Sequence, residues 1–225
     1  MLEETLFSEL SKYNLNTQLV DYISKYVFPY YDGFDAAHGM QHVSSVIVKA
    51  LELSEYYDVD KNMIFTIAAY HDAGQIYGRE NHNIESGKLI MKDARLREWF
   101  TEEDIVTMKE AAEDHRASLS HEPRSIYGKI VAEADRDLDP ENTLLRIVQY
   151  GLHNNPGHTR EWHYERFLQH IKEKYAEGGY MKLWIPESDN NNQLQKIRSI
   201  VSNKELLKET FDRMYDKELS SSKNC

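Results

Sequence analysis

The sequence predicts an all-α fold, a helical bundle with additional C-terminal helices, and three observations predict it. Apolar residues recur at three- and four-residue spacing along most of the chain. Helix-start signals sit ahead of these runs: Asp60, Thr101 with Asp104, and Asp139 before Pro140. Sustained strand alternation with hairpin turns is missing.

The elements follow in order. Residues 1–30 should supply N-terminal helices. Val43, Val46, Ile47, Ala50, Leu51 and Leu53 suit one face of a helix that His38 and His42 open. Met63, Ile64, Ile67, Ala68 and Tyr70 suit a broad, well-buried face of the next, capped by Asp60 and ending at His71-Asp72 ahead of Gly74. Thr101 and Asp104 form a capping-box pattern before Ile105 to His115. Asp139 places a capping carboxylate ahead of a proline at the first helical position. Tyr164 to Ala176 reads as a helix ended by Gly178-Gly179, and Gln193 to Met214 as one long C-terminal helix. "ESDNNNQ", Glu187 to Gln193, reads as a loop or helix start, and residues 220–225 as a frayed tail. Trp162, Tyr164, Phe167, Tyr175, Tyr180 and Trp184 are expected in the core of a C-terminal subdomain; at a cleft mouth they would suit a nucleobase.

At 225 residues the chain is long enough for a core without disulfides. One unit spanning 1–225 is expected, with a core at about 35–138 and helices 1–30 and 139–219 packed on it. The formal net charge of -11 argues against binding long nucleic acids, which need a basic face to release counterions. Met1 to Tyr30 holds no continuous apolar stretch, so neither a signal peptide nor a membrane span is expected. Cys225 is the single cysteine and has no intrachain partner, which fits a reducing cytoplasm and an idle thiol. "SGK" at Ser86 to Lys88 lacks the glycines of a phosphate-binding loop, and no dinucleotide fingerprint or Ser-His-Asp arrangement is evident.

The polar residues carry the chemistry. His38 and His42 open a helix, His71-Asp72 close the next, His82 lies in "ENHNIESGK", His115 ends "VTMKEAAEDHRAS", and Asp135 sits in "VAEADRDLD". All lie near expected helix ends, and ends gathered on one side of a bundle make a polar cavity. Imidazoles and carboxylates together suit a divalent metal such as Mn, Fe, Co, Ni or Zn. Neighbours in mid-helix diverge by about 100°, so an adjacent His-Asp pair converges on one ion only where the backbone turns, and Gly74 makes that turn easy. His121, His153, His158, His163 and His170 lack a comparable pattern and read as surface or packing residues.

That ordered set resembles the HD-domain superfamily of metal-dependent phosphohydrolases, and within it the small bacterial hydrolases, over roughly Asp35 to Leu138. The resemblance makes His42, His71, Asp72 and Asp135 metal ligands, with Mg added to the candidate ions. His38 matches a histidine four residues before the first ligand, and Asp135-Arg136 matches a "DADR"-like end. Two positions depart: Ser45 stands near the usual arginine after the first ligand, and Gln75 replaces the frequent lysine after the doublet, with Arg79 beyond it.

The function implied is hydrolysis of a phosphoester or phosphoanhydride in a small phosphorylated substrate of nucleotide type. Asp72 would also orient water. His115 or His82 would stabilise or protonate the leaving side, with a second metal held by them as the lesser reading. His38, Arg79, Lys88, Arg116 and Arg136 are candidate substrate contacts. No membrane partner is expected, and pairing through exposed helices would give a homodimer. The alternative keeps the fold as a non-catalytic nucleotide- or metabolite-binding regulatory module with a structural metal.

Overall fold

The computed structural model describes residues 2–34 and 38–222. Cys225, the end of the expected tail and the Asp35 start of the expected core lie outside the described residues. Seven α-helices come first among the described residues: α1 Leu2–Leu10, α2 Thr17–Tyr26, α3 Met40–Ser54, α4 Lys61–Tyr70, α5 His82–Lys92, α6 Glu102–Glu113 and α7 Ile126–Ala134. Four more follow: α8 Pro140–Asn154, α9 Arg160–Lys174, α10 Asn190–Ser202 and α11 Lys204–Ser222. No strand occurs among the described residues, so the fold is all-α.

The chain divides into two compact units, Met1–Arg136 with Trp184–Ser188, and Asp137–Leu183 with Asp189–Cys225, where the sequence suggested one. In the first unit α4 is the central helix, with every residue from Met63 to Tyr70 buried against α3, α6 and α7. Its start is fixed by Asp60, whose carboxylate accepts from the Asn62 N–H. The capping box of α6 is complete, with Thr101 and Asp104 satisfying each other's backbone N–H. Trp184–Ser188 returns to this unit: the Trp184 N–H donates to the buried Glu133 at 2.8 Å, and Ile185 joins the core. Trp184 thus packs on the first unit rather than in a C-terminal core.

The second unit holds α8 to α11, with α8 packed on α9 and α11. Asp139 caps α8 as expected. Phe167, Ile171, Tyr175, Leu194, Ile197, Phe211 and Met214 are buried, while Tyr180 is exposed. The single long helix expected from Gln193 to Met214 is two helices. Asn203 breaks it: its backbone is extended, and its side-chain oxygen accepts from the Leu206 N–H to start α11.

Candidate metal centre

Five helix ends bring the polar residues together. His42 stands in the first turn of α3 and His82 opens α5; His71-Asp72 follow α4, His115 follows α6 and Asp135 caps α7. The negative ends of three helix dipoles favour a cation there, and two positive ends favour an anion beside it. His71 still has helical backbone angles, after which Asp72 turns the chain into a 3₁₀ turn, Ala73–Tyr77.

Gly74 matters for closeness rather than for an unusual φ. A Cβ there would lie 2.2 Å from the His82 carbonyl oxygen and 2.4 Å from the Ser86 nitrogen. The Gly74 N–H also donates to Ser86 Oγ at 2.9 Å. The turn after the doublet is therefore seated directly on the start of α5, and this contact sets the distance between Asp72 and His82.

Two donor groups result. In the first, His42 Nε2 lies 3.2 Å from His71 Nε2, and Asp72 Oδ2 lies 3.7 and 3.6 Å from them. Asp135 Oδ1 adds a fourth donor, 3.1 Å from His42 and 3.7 Å from His71. In the second, Asp72 Oδ1 lies 3.1 Å from His82 Nε2 and 3.5 Å from His115 Nε2, and the two imidazoles are 3.1 Å apart. A cation about 2.0–2.2 Å from each ligand sets neighbouring donors roughly 3–3.6 Å apart; the second group falls in that range, and the first exceeds it only at its two 3.7 Å separations. Asp72 is common to both, one oxygen facing each.

The imidazoles are aimed by backbone. His71 Nδ1 bonds to the Ala68 carbonyl, His115 Nδ1 to Ala112 and His82 Nδ1 to Arg79, at 2.7, 2.7 and 2.8 Å. With the proton on Nδ1, each presents Nε2 as a free donor pair, the usual support of a metal-binding histidine. Burial opposes charge on His71, but Asp72 and a hydrogen bond with Asp135 outweigh it and lift its pKa to about 9. Burial likewise opposes ionised Asp72, yet the charge of His71 and bonds from His115 and His82 hold its carboxyl well below the usual range. Asp135 is depressed in the same way, burial being outweighed by His42 and His71. The carboxylates are thus ionised, and the proton that His71 carries beside them is one that a cation would displace.

A model of the HD domain matches residues 39–138, which span all of these donors. The chain contains an HD domain. No curated protein and no solved structure gave a significant match. The HD-domain match agrees with the sequence reading, and His/Asp groups able to hold a metal lie within the matched span.

Other expected site residues divide. His38 and Arg79 stand together, with the guanidinium 3.3 Å from His38 Nε2. Lys88 is exposed and paired with Glu85 at 2.7 Å on the surface of α5. Arg116 donates to the Glu80 carbonyl at 2.7 Å. Arg136 is buried and turned back onto the Ala132 carbonyl of α7. Sequence reasoning missed three supports: Ser86, which holds Gly74; Asn83, which donates to the Glu113 carbonyl at 2.7 Å; and Arg124, which clamps Asp114 beside His115. None stands in a local pattern that would single it out. Among the described residues, the buried side-chain atoms without a hydrogen-bond partner are Ser44 Oγ, Gln75 Nε2 and Arg136 Nε. Each is one to three residues from a donor of the first group.

Proposed function

We propose that this protein is a metal-dependent phosphohydrolase acting on a small phosphorylated metabolite of nucleotide type, with two divalent cations. His42, His71, Asp72 and Asp135 hold one cation; Asp72, His82 and His115 hold the other. The observation that carries this reading is the Asp72 carboxylate, whose two oxygens face different imidazole pairs 3.1–3.7 Å away. Ions bound there would polarise a phosphoryl oxygen and make water a better nucleophile near neutral pH.

The chain's own residues do the rest. Asp72 stays ionised and fixes the spacing of the two groups. His82 and His115, first considered as leaving-group acids, serve as donors aimed by their Nδ1 bonds. His38 and Arg79 offer hydrogen-bond donors to the phosphoryl oxygens beside the positive ends of α3 and α5. Gln75 Nε2, buried without a partner three residues past Asp72, is a further donor available to substrate.

The test joins elemental analysis of the purified protein with a phosphate-release screen over nucleotides and other phosphoesters in Mn, Co, Ni, Zn and Mg. Turnover that scales with about two ions per chain supports the reading. Ligand-induced stabilisation without product would make the protein a binding module, and a metal-free preparation that turns over fully would end the proposal.

A further inference from the structure

The second donor group is built differently from the first, and this inference rests on the two-cation reading above. His71 and His115 are oriented by carbonyls inside the helices they follow, Ala68 of α4 and Ala112 of α6. His82 is the first residue of α5, so the carbonyl three positions back, that of Arg79, belongs to the loop 78–81. That loop is exposed, leaves the 3₁₀ turn through Gly78 at φ 109°, and enters α5 through Asn81 without a side-chain capping bond. The aim of His82 Nε2 toward Asp72 is therefore only as firm as the loop that carries its orienting carbonyl.

Two long-range hydrogen bonds hold that loop: the Arg79 side chain meets His38, and Arg116 grips the loop's backbone. Arg116 Nη1 donates to the Glu80 carbonyl at 2.7 Å, bridging 36 residues. Arg116 directly follows His115, whose Nε2 lies 3.1 Å from that of His82. The same two-residue stretch thus supplies one donor of the second group and the strap on the loop that aims another. Asp114 before it is locked by Arg124 at 2.8 Å, so the strap has a rigid anchor. No donor of the first group depends on a loop 78–81 carbonyl through any bond described above.

We infer that Arg116 is a positioning residue for His82, setting the affinity of the second cation group while leaving the first nearly untouched. This gives the side chain a task other than holding phosphate. Outer partners of metal-binding histidines change metal affinity by about 10–100-fold when removed, and the strap acts one bond further out, through the carbonyl's position.

The test uses the full chain, stripped with chelator and titrated with Mn(II) by calorimetry, with circular dichroism to confirm the fold. Arg116→Gln should weaken one of two binding events by roughly tenfold or more and spare the other. Arg116→Lys, which keeps a cationic donor, should recover part of the loss, and it replaces Arg116→Gln in every comparison if that variant does not fold. Combined with His82→Ala, the Arg116 change should have no further effect on the Mn(II) that still binds. Equal weakening of both events, or of neither, with two ions bound to the unaltered protein, would overturn the inference and leave the two-cation reading intact. An unaltered protein that binds one ion or none would overturn both.

Discussion

At the scale of single residues, Asp72 faces both donor groups, one carboxylate oxygen to each. His42→Ala should lose one cation and Asp72→Ala both, counted by elemental analysis on folded protein. Since loss of an outer partner of a metal ligand costs about 10–100-fold, losing a direct donor should lower phosphate release further still. Equal metal content in the two variants would mean that the carboxylate is not shared. The histidines and Asp135 could be picked out from the sequence because each stands near one end of an expected helix and fits a known ordered pattern. The sharing could not: which oxygen faces which imidazole depends on the rotation of one carboxylate between five helix ends. Likewise "DHR" at His115 offers no hint that Arg116 reaches back to Glu80, since a guanidinium beside a motif more often stands in solvent.

At the scale of elements, caps read well and close approaches did not. Asp60, Thr101 and Asp139 act as capping residues where the sequence placed them, because a cap is a local contract between a side chain and the next turn. From the sequence Gly74 is expected to make the turn after the doublet easy, but its need is space, imposed by His82 and Ser86 at the start of α5. Gly74→Ala should displace the His82 and Ser86 backbone, costing about 1–3 kcal/mol as an overpacked site does, with the second cation bound more weakly. A thermal unfolding midpoint unchanged from the unaltered protein would refute the close contact. The missed break in the C-terminal helix has a local cause: an apolar spacing that continues from α10 into α11 masks Asn203. Asn203→Ala removes the bond to the Leu206 N–H and should cost about 1 kcal/mol of stability, read from denaturant unfolding.

At the scale of the whole molecule, acidity enters through buried imidazoles of the second unit. His163 is buried and His170 half-buried, and burial pushes the pKa of each below its ordinary 6.5, helped by the charge of Arg166. The unfolded chain therefore binds protons first. The stability they contribute is present above pH about 6.5 and is lost as pH falls through their depressed folded values. Thermal midpoints measured from pH 8 to 5 should drop, and less steeply in His163→Gln; an identical slope in both proteins would rule out His163 as a source. No helix among the described residues is long and apolar enough to cross a membrane. The sequence by itself determined the all-α class, the capped helices and the identity of the histidines and carboxylates, because periodicity, caps and ordered motifs are properties of neighbouring residues. Only the tertiary structure decided that the chain forms two compact units and that six donors fall into two groups around one carboxylate. It also decided that Arg116 straps a loop, since distances across thirty or more residues are set by how helices pack and not by spacing along the chain.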